Sequence, residues 1–428
     1  MKSKHKALLV TYYWPPCGGV SVMRWLKFCK YLPEMGIEPI VYAPANADYP
    51  TRDDVLTKQI PSSLQVLMRP IREPNSVFKK LTFRKDTNYG SDVFSDKSSW
   101  MKRQALKIRA NYFIPDSRMF WIKPSVKYLR EYLEENPVDI LITNGTPHSC
   151  HVIGFELKQL FPDLPWLADF RDPWMEIDFF EELNLSARAR ASHEQLEKAV
   201  LTTADAITTV SPSWADLFAA KGGKNIHTIT NGYDIDDFHY LKPYEKQKPY
   251  LISHVGTLNA SRNAESFWAV LHQLQREQPQ LAEQLEVLLV GPIDQSIQAA
   301  AEQLGGMVRL TSSVPHKAAI SIMKASDILW LANNSTGATK GRIPAKLFEY
   351  IGAEKPILYT GSLDNDAAHI IQTHQLGHCM DFHAAEGGME FIQKTLAQPN
   401  EKSTIDPTPF QRKTLTQQLV NVLHQLVK

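Results

Sequence analysis

Short apolar runs alternate with longer amphipathic stretches along nearly the whole chain. In the first half the apolar runs fall at 7–13, 39–43, 64–68, 139–144, 166–170 and 206–210, several of them rich in Val and Ile. Parallel strands covered on both faces have this character. Between them, residues 20–32, 126–135, 152–160 and 187–202 carry apolar groups at helical spacing. The second half repeats the theme. Strands are predicted at 250–255, 287–290, 308–311, 328–331, 356–359 and 377–380, and helices at 264–276, 295–303, 317–324, 346–353 and 367–373. The alternation predicts two doubly wound α/β domains. The polar stretch 240–250, with Pro243 and Pro249, reads as the linker. This places the domains at 1–243 and 244–408. Leu415, Leu419, Val422, Leu423 and Leu426 then predict a terminal helix within 409–428 that can pack back on the first domain.

Composition narrows the class. The chain has 428 residues, 43% hydrophobic and 22% charged, which suits two or three globular domains and excludes global disorder. A net charge of +1 argues against a general nucleic-acid partner. The balance is not local, however. Residues 72–127 hold thirteen Lys and Arg against five acidic residues, interleaved with aromatics. This segment reads either as a solvated insertion or as a surface for anionic lipid head groups or a phosphorylated acceptor. Cys17, Cys29, Cys150 and Cys379 form no C-x-x-C pair, so a cytoplasmic, reducing compartment is expected. No apolar run is long enough to span a bilayer. The basic, briefly apolar start lacks a small-residue cleavage site and reads as a first strand, not a signal peptide.

Candidate chemistry gathers at predicted strand ends, where open α/β sheets bind ligands. Pro15-Pro16-Cys17-Gly18-Gly19-Val20-Ser21 lies between the first strand and the first helix, and its glycines allow close backbone approach. Thr146-Pro147-His148-Ser149 follows the strand at 139–144, and Asp169-Phe170-Arg171-Asp172-Pro173-Trp174 lies at the carboxyl end of the strand at 166–170. The plain reading of the second is an Arg171–Asp pair holding its loop. Asp234-Ile235-Asp236 could hold a cation, but carboxylates at a turn more often cap it.

The strongest block is 339–353, TKGRIPAKLFEYIGA, where a glycine loop leads into a helix. Arg342, Lys346 and a helix start favour a diphosphate, and Glu349 on the same face can accept from sugar hydroxyls. The bland alternative is a Lys346–Glu349 helical ion pair. Gly256, in His254-Val255-Gly256-Thr257-Leu258, and Gly291 end two more strands, with Arg262 just beyond the first. All map to one sheet edge.

With these motifs the sequence resembles the retaining glycosyltransferases of family 4, the group 1 enzymes of GT-B architecture. PPCGGVS, DFRDPW, TNGYDIDDF, HVGTLNASRN and PAKLFEYIGAEKPIL carry the resemblance, which covers nearly the whole chain. It implies two Rossmann-like domains facing across a cleft. Arg262 and Lys346 would contact the diphosphate of a nucleotide-sugar donor and Glu349 the ribose. Gly18 and Gly19 would lie near the donor phosphates and acceptor. His148 and Asp172 are candidates for positioning the sugar or acceptor. The sugar would move, with retention and without a metal or other cofactor, to a lipid-linked or polysaccharide acceptor, as in bacterial cell-surface glycan or lipopolysaccharide synthesis. Peripheral contact with the inner face of an anionic membrane fits that acceptor. One departure stands out. The family's first Glu of a Glu-x7-Glu pair would fall at position 341, which is Gly341. A nucleotide-sugar epimerase of the same fold and a non-catalytic sugar-nucleotide binder are the alternatives.

Overall fold

The structure is a computed structural model that describes residues 5–73, 107, 110–176, 185–334, 340–398 and 405–427. The chain divides into two compact units, Met1–Thr230 with Thr416–Lys428, and Asn231–Leu415. Most of the basic 72–127 segment lies outside the described residues.

In the first unit, β1 (His5–Thr11), β2 (Ile37–Pro44), β3 (Gln65–Arg69), β4 (Ile140–Gly145), β5 (Trp166–Phe170), β6 (Ala206–Thr209) and β7 (Ile226–Thr228) form one parallel sheet. Its order is β3-β2-β1-β4-β5-β6-β7. Every residue of β4 and β5 is buried. Leu8 of β1 faces Ile40 on one side and Leu141 on the other, so the apolar runs meet in register. Helices Val20–Tyr31, Met119–Glu135, Ser149–Leu160, Ala187–Thr203 and Pro212–Ala220 accompany the sheet. The last, absent from the sequence reading, starts at Ser211, whose hydroxyl accepts from the Trp214 amide, with proline in the first turn.

The second unit repeats the plan. Strands β8 (Tyr250–Val255), β9 (Leu285–Val290), β10 (Val308–Thr311), β11 (Ile328–Ala332), β12 (Ile357–Thr360) and β13 (Gly377–Met380) are parallel, in the order β10-β9-β8-β11-β12-β13. In each sheet the order reverses beside the unit's first strand, at β1/β4 and at β8/β11. An open sheet presents a crevice at that point, beyond the carboxyl ends of its strands.

The units part at Thr230/Asn231, ahead of the stretch 240–250 that the sequence suggests as linker. The reason is packing. Tyr233 and Phe238 lie in the core of the second unit, and the Tyr233 amide and carbonyl bond to Phe410 and Arg412. The terminal helix Arg412–Leu426 begins in the second unit, but Thr416–Lys428 belongs to the first, where His424 meets His5 edge to face at 5.7 Å.

One buried ion pair ties the first unit together. Arg24, on the helix after β1, and Asp169, near the end of β5, are 1% and 0% exposed. Arg24 Nε and Nη2 each donate to the carboxylate at 2.9 Å. Trp25 Nε1 and Thr208 Oγ1 donate to the same group at 2.7 and 2.8 Å. Arg24 Nη1 reaches the carbonyls of Ile229 and Thr230. Asp169 lies in the strand that the sequence predicts at 166–170, and its carboxylate is engaged inside the core.

Removing one partner strands the other in a dry interior, a loss of about 3–5 kcal/mol. Asp169→Ala should therefore lower the urea midpoint of the first unit sharply, followed by tryptophan fluorescence. A change below about 1 kcal/mol would show that the pair does not hold the unit.

Candidate functional site

The predicted binding residues of the second unit come together at the carboxyl edge of its sheet. The chain leaves β8 at Gly256 and β9 at Gly291. These turns interlock: the Gly256 amide donates to Val290, and a Cβ at Gly291 would lie 2.4 Å from the Gly256 carbonyl oxygen. Gly291 also sits at φ 126°, a conformation that side chains disfavour. Both turns therefore present bare backbone.

Arg262 ends a short 3-10 turn, Ala260–Arg262, beyond Gly256. Its Nε donates to Asn334 Oδ1 and its Nη1 to the Thr257 carbonyl, each at 2.9 Å. Asn334 follows β11, so this bond joins the two sides of the point where strand order reverses. Burial, with Arg342 nearby, pushes the Arg262 guanidinium down to about 10. Two cations thus lie near one another at this edge.

Helix Lys346–Ala353 starts at Ala345 with no side-chain cap. Lys346 Nζ and Glu349 Oε2 lie 2.5 Å apart. The helical ion pair considered from sequence is therefore present. It is not isolated, because His316 Nε2 stands 3.5 Å from the other carboxylate oxygen. Burial opposes ionisation of Glu349, but Lys346 and His316 outweigh it and hold the carboxyl at about 2. Lys346 also lines the glycine turn: its Cγ is 3.8 Å from where a Gly256 Cβ would stand. Tyr350 accepts from the Val255 amide at 2.9 Å and so fixes the helix to the end of β8. His316, Asn334 and Tyr350 were not singled out from sequence. His316 and Asn334 come from elements distant in sequence, and Tyr350, although inside the block 339–353, has its partner, the Val255 amide, 95 residues away.

In the first unit, Gly18 and Gly19 lie in the turn after β1. The Gly18 amide donates to Thr51, and a Cβ there would press on Asp53 and Thr51 at 3.3 Å. Gly19, at φ 90°, caps helix Val20–Tyr31 without a side-chain bond. Asp172 accepts from Arg171 Nε and Nη2, at 2.9 and 2.6 Å, and from Thr146 at 2.9 Å. The Arg171–Asp172 pair does brace the loop. Burial would raise the Asp172 carboxyl, yet Arg171 holds it below its usual value. His148 stacks on Trp174 with ring centroids 4.4 Å apart, and neither ring nitrogen has a hydrogen-bond partner. Burial pushes its imidazole down to about 4.

Asp234 accepts from the Asp236 amide and caps the turn Ile235–Phe238, the role expected of a carboxylate there. Among the described residues, no group of three or more His, Cys, Asp or Glu gathers as metal ligands would. Arg118, counted from sequence with the basic segment, is instead turned inward over the Tyr12 ring, with Nε 3.4 Å from Glu73. No helix among the described residues is long and apolar enough to cross a membrane.

Residues 105–232 match the family model of the glycosyl transferase 4-like domain. No curated protein matches the chain in sequence. Solved structures share its fold over the full length. A sucrose-phosphate synthase from Thermosynechococcus elongatus is 14% identical, with 99% of each chain covered and a TM-score of 0.62. The lipopolysaccharide outer core galactosyltransferase WaaB is 13% identical, with 98% of this chain and 99% of that one covered and a TM-score of 0.57. A putative UDP-N-acetylglucosamine 2-epimerase from Listeria monocytogenes is 11% identical, with 99% and 96% covered and a TM-score of 0.58. At such identities the likeness establishes the fold, GT-B, and nothing finer.

Two outcomes follow from this geometry. The imidazoles of His148 and His254 are held at about 4 and about 3, while an unfolded histidine titrates near 6.5. Between those values the unfolded chain binds more protons, so stability falls as pH drops below about 6.5. Acidification from pH 7 to 5 should lower the calorimetric melting temperature, and His148→Asn should flatten that dependence. Glu349 and Asp172 titrate below this window and leave it unchanged. Separately, Gly291→Ala must displace the Gly256 carbonyl and should cost about 1–3 kcal/mol, read by thermal melting. An unchanged melting temperature would show that the turns are not interlocked.

Proposed function

We propose that the chain, which has the GT-B fold and matches the glycosyl transferase 4-like domain over residues 105–232, is a glycosyltransferase of the family-4 type whose second unit binds a nucleotide-diphosphate sugar. Arg262 and Lys346 take the diphosphate, with Arg342 reinforcing them, and Glu349 takes the ribose hydroxyls. Gly256 and Gly291 let the phosphates approach bare backbone. The observation that carries this reading is the convergence of two cations and one ionised carboxylate on interlocked glycine turns where the strand order reverses.

The chemistry follows from charge. When the sugar–phosphate bond breaks, negative charge develops on the departing diphosphate. The Arg262 guanidinium stabilises that charge from a position already fixed by its own partners, and the Lys346 ammonium joins it. Lys346 must give up its bond to Glu349 to do so. The exchange suits the ligand, because the phosphate replaces the carboxylate at Lys346 and the ribose hydroxyls replace the ammonium at Glu349. With two fixed cations at the leaving group, the transfer needs no metal. The sugar passes with retention to a lipid-linked or polysaccharide acceptor, and the first unit offers His148 and Asp172 as its candidates for positioning a substrate. Lys123 and Lys127, exposed on helix Met119–Glu135, belong to the basic segment that would meet an anionic membrane.

Gly341 favours a second reading, a donor-binding protein without turnover, because the residue that would touch the transferred sugar is absent. The same experiment separates the two. Lys346→Ala and Glu349→Gln should each weaken binding of the nucleoside diphosphate by about tenfold or more, one charge-assisted bond being worth about 1.5–3 kcal/mol. Arg262→Ala should lower transfer by about a hundredfold, the scale of losing one donor to a developing anion. Binding is read by calorimetry with UDP, GDP and ADP, and transfer by release of nucleoside diphosphate. Wild-type affinity in both helix variants would overturn the site. Donor binding with no transfer to any acceptor would leave the binder.

A further inference from the structure

His254 is the buried polar group of this site to which no role above has been given. It is the next-to-last residue of β8, and its side chain is 2% exposed. Nδ1 lies 3.0 Å from the Trp330 carbonyl oxygen. A carbonyl oxygen only accepts, so Nδ1 carries the ring proton. Nε2 is then a bare lone pair, buried and without a hydrogen-bond partner. Protonation does not relieve it. Burial pushes the imidazole down to about 3; the Trp330 carbonyl works the other way, but Arg262 and Lys346 add to the depression. At neutral pH the ring stays uncharged and lacks a donor.

The lone pair faces a defined space. A Cβ on Gly256 would stand 3.3 Å from Nε2 and 3.8 Å from Lys346 Cγ, and its other near neighbour is Cε1 of the same histidine at 4.0 Å. Glycine at 256 keeps this space open, and the residue is half-buried, so it borders solvent. An atom placed there touches Nε2 and the lysine stem together. Phosphate oxygens at neutral pH only accept hydrogen bonds and so cannot satisfy Nε2. An O–H group can. In a nucleotide sugar the O–H groups nearest the diphosphate belong to the ribose and to the transferred sugar.

We propose that His254 Nε2 accepts a hydrogen bond from a sugar hydroxyl of the donor laid against Gly256, which makes His254 a specificity-determining residue. The inference rests on the donor-site reading above. An unpaired buried acceptor penalises any ligand that brings no hydroxyl to this position, so the residue reads sugar where its neighbours read phosphate.

Two substitutions separate this role from a structural one. In His254→Asn the amide N–H can replace Nδ1–H toward Trp330, and the Nε2 acceptor is lost. In His254→Gln the amide oxygen can reach the Nε2 position, and the bond to Trp330 is lost. Binding is measured by titration calorimetry with UDP, GDP and ADP, and with UDP-, GDP- and ADP-glucose. The Asn variant should bind about three- to tenfold more weakly, the size of one net hydrogen bond, and the Gln variant should stay within about twofold of wild type. A loss already present with the nucleoside diphosphate assigns the hydroxyl to the ribose. A loss confined to the glucose conjugates assigns it to the transferred sugar. Wild-type affinity of the Asn variant for both ligand sets overturns the proposal. In the unsubstituted protein, the 15N resonance of the unprotonated Nε2 should move when ligand is added, and an unmoved resonance also overturns it. If the wild type binds none of the six compounds, the donor-site reading fails first and takes this one with it.

Discussion

Two charges sealed from water, Arg24 and Asp169, set the geometry on which the first unit depends. Burying both is costly, and their attraction offsets the cost only if the remaining hydrogen-bonding capacity is used. Here it is. The carboxylate takes bonds from Arg24, Trp25 and Thr208, and the guanidinium continues to two carbonyls just past β7. One ion pair thereby fixes the helix after β1 against β5, β6 and the chain that leaves the sheet. The turn holding Gly18 and Gly19 and the loop holding Asp172 are the immediate extensions of those elements. Their positions are consequences of the pair.

The second unit manages its charge differently. Its cations are half-buried and held by partners that a ligand can replace or join: a side-chain amide and a carbonyl for Arg262, a carboxylate for Lys346. Such partners keep long, flexible side chains ordered, so on the proposed donor-binding role less conformational entropy would be lost on binding. The first unit uses charge to make a core; the second gathers it at the edge of its sheet, where the proposed donor site lies.

Much of this was legible in the chain. Strands such as β4 and β5 are buried on both faces, so they appear in sequence as unbroken apolar runs. Gly256, Gly291, Arg262, Lys346 and Glu349 could be mapped to one edge because every parallel strand delivers its following residue to the same side. The rest depended on tertiary context. Arg24 looks like a solvated position on an amphipathic helix until its partner, 145 residues away, is known. Arg118 counts as surface charge until Tyr12 and Glu73 enclose it. His254 sits inside a recognised motif, yet its tautomer is set by a carbonyl on another strand. The boundary at Thr230/Asn231 likewise depends on packing: Tyr233 and Phe238 precede the polar stretch 240–250 in sequence, yet they lie in the core of the second unit.

The terminal helix carries a consequence in time. Its final residues, Thr416–Lys428, belong to the first unit although the whole of Asn231–Leu415 intervenes in sequence. A ribosome adding about 5–20 residues per second needs on the order of ten to forty seconds to cross that interval. Throughout it the first sheet exists on the nascent chain without its last helix, and the groups that will bury Leu419, Val420 and Leu423 stay uncovered. The unit made first is completed last, so a chain released early carries an unfinished first unit however well its second has folded.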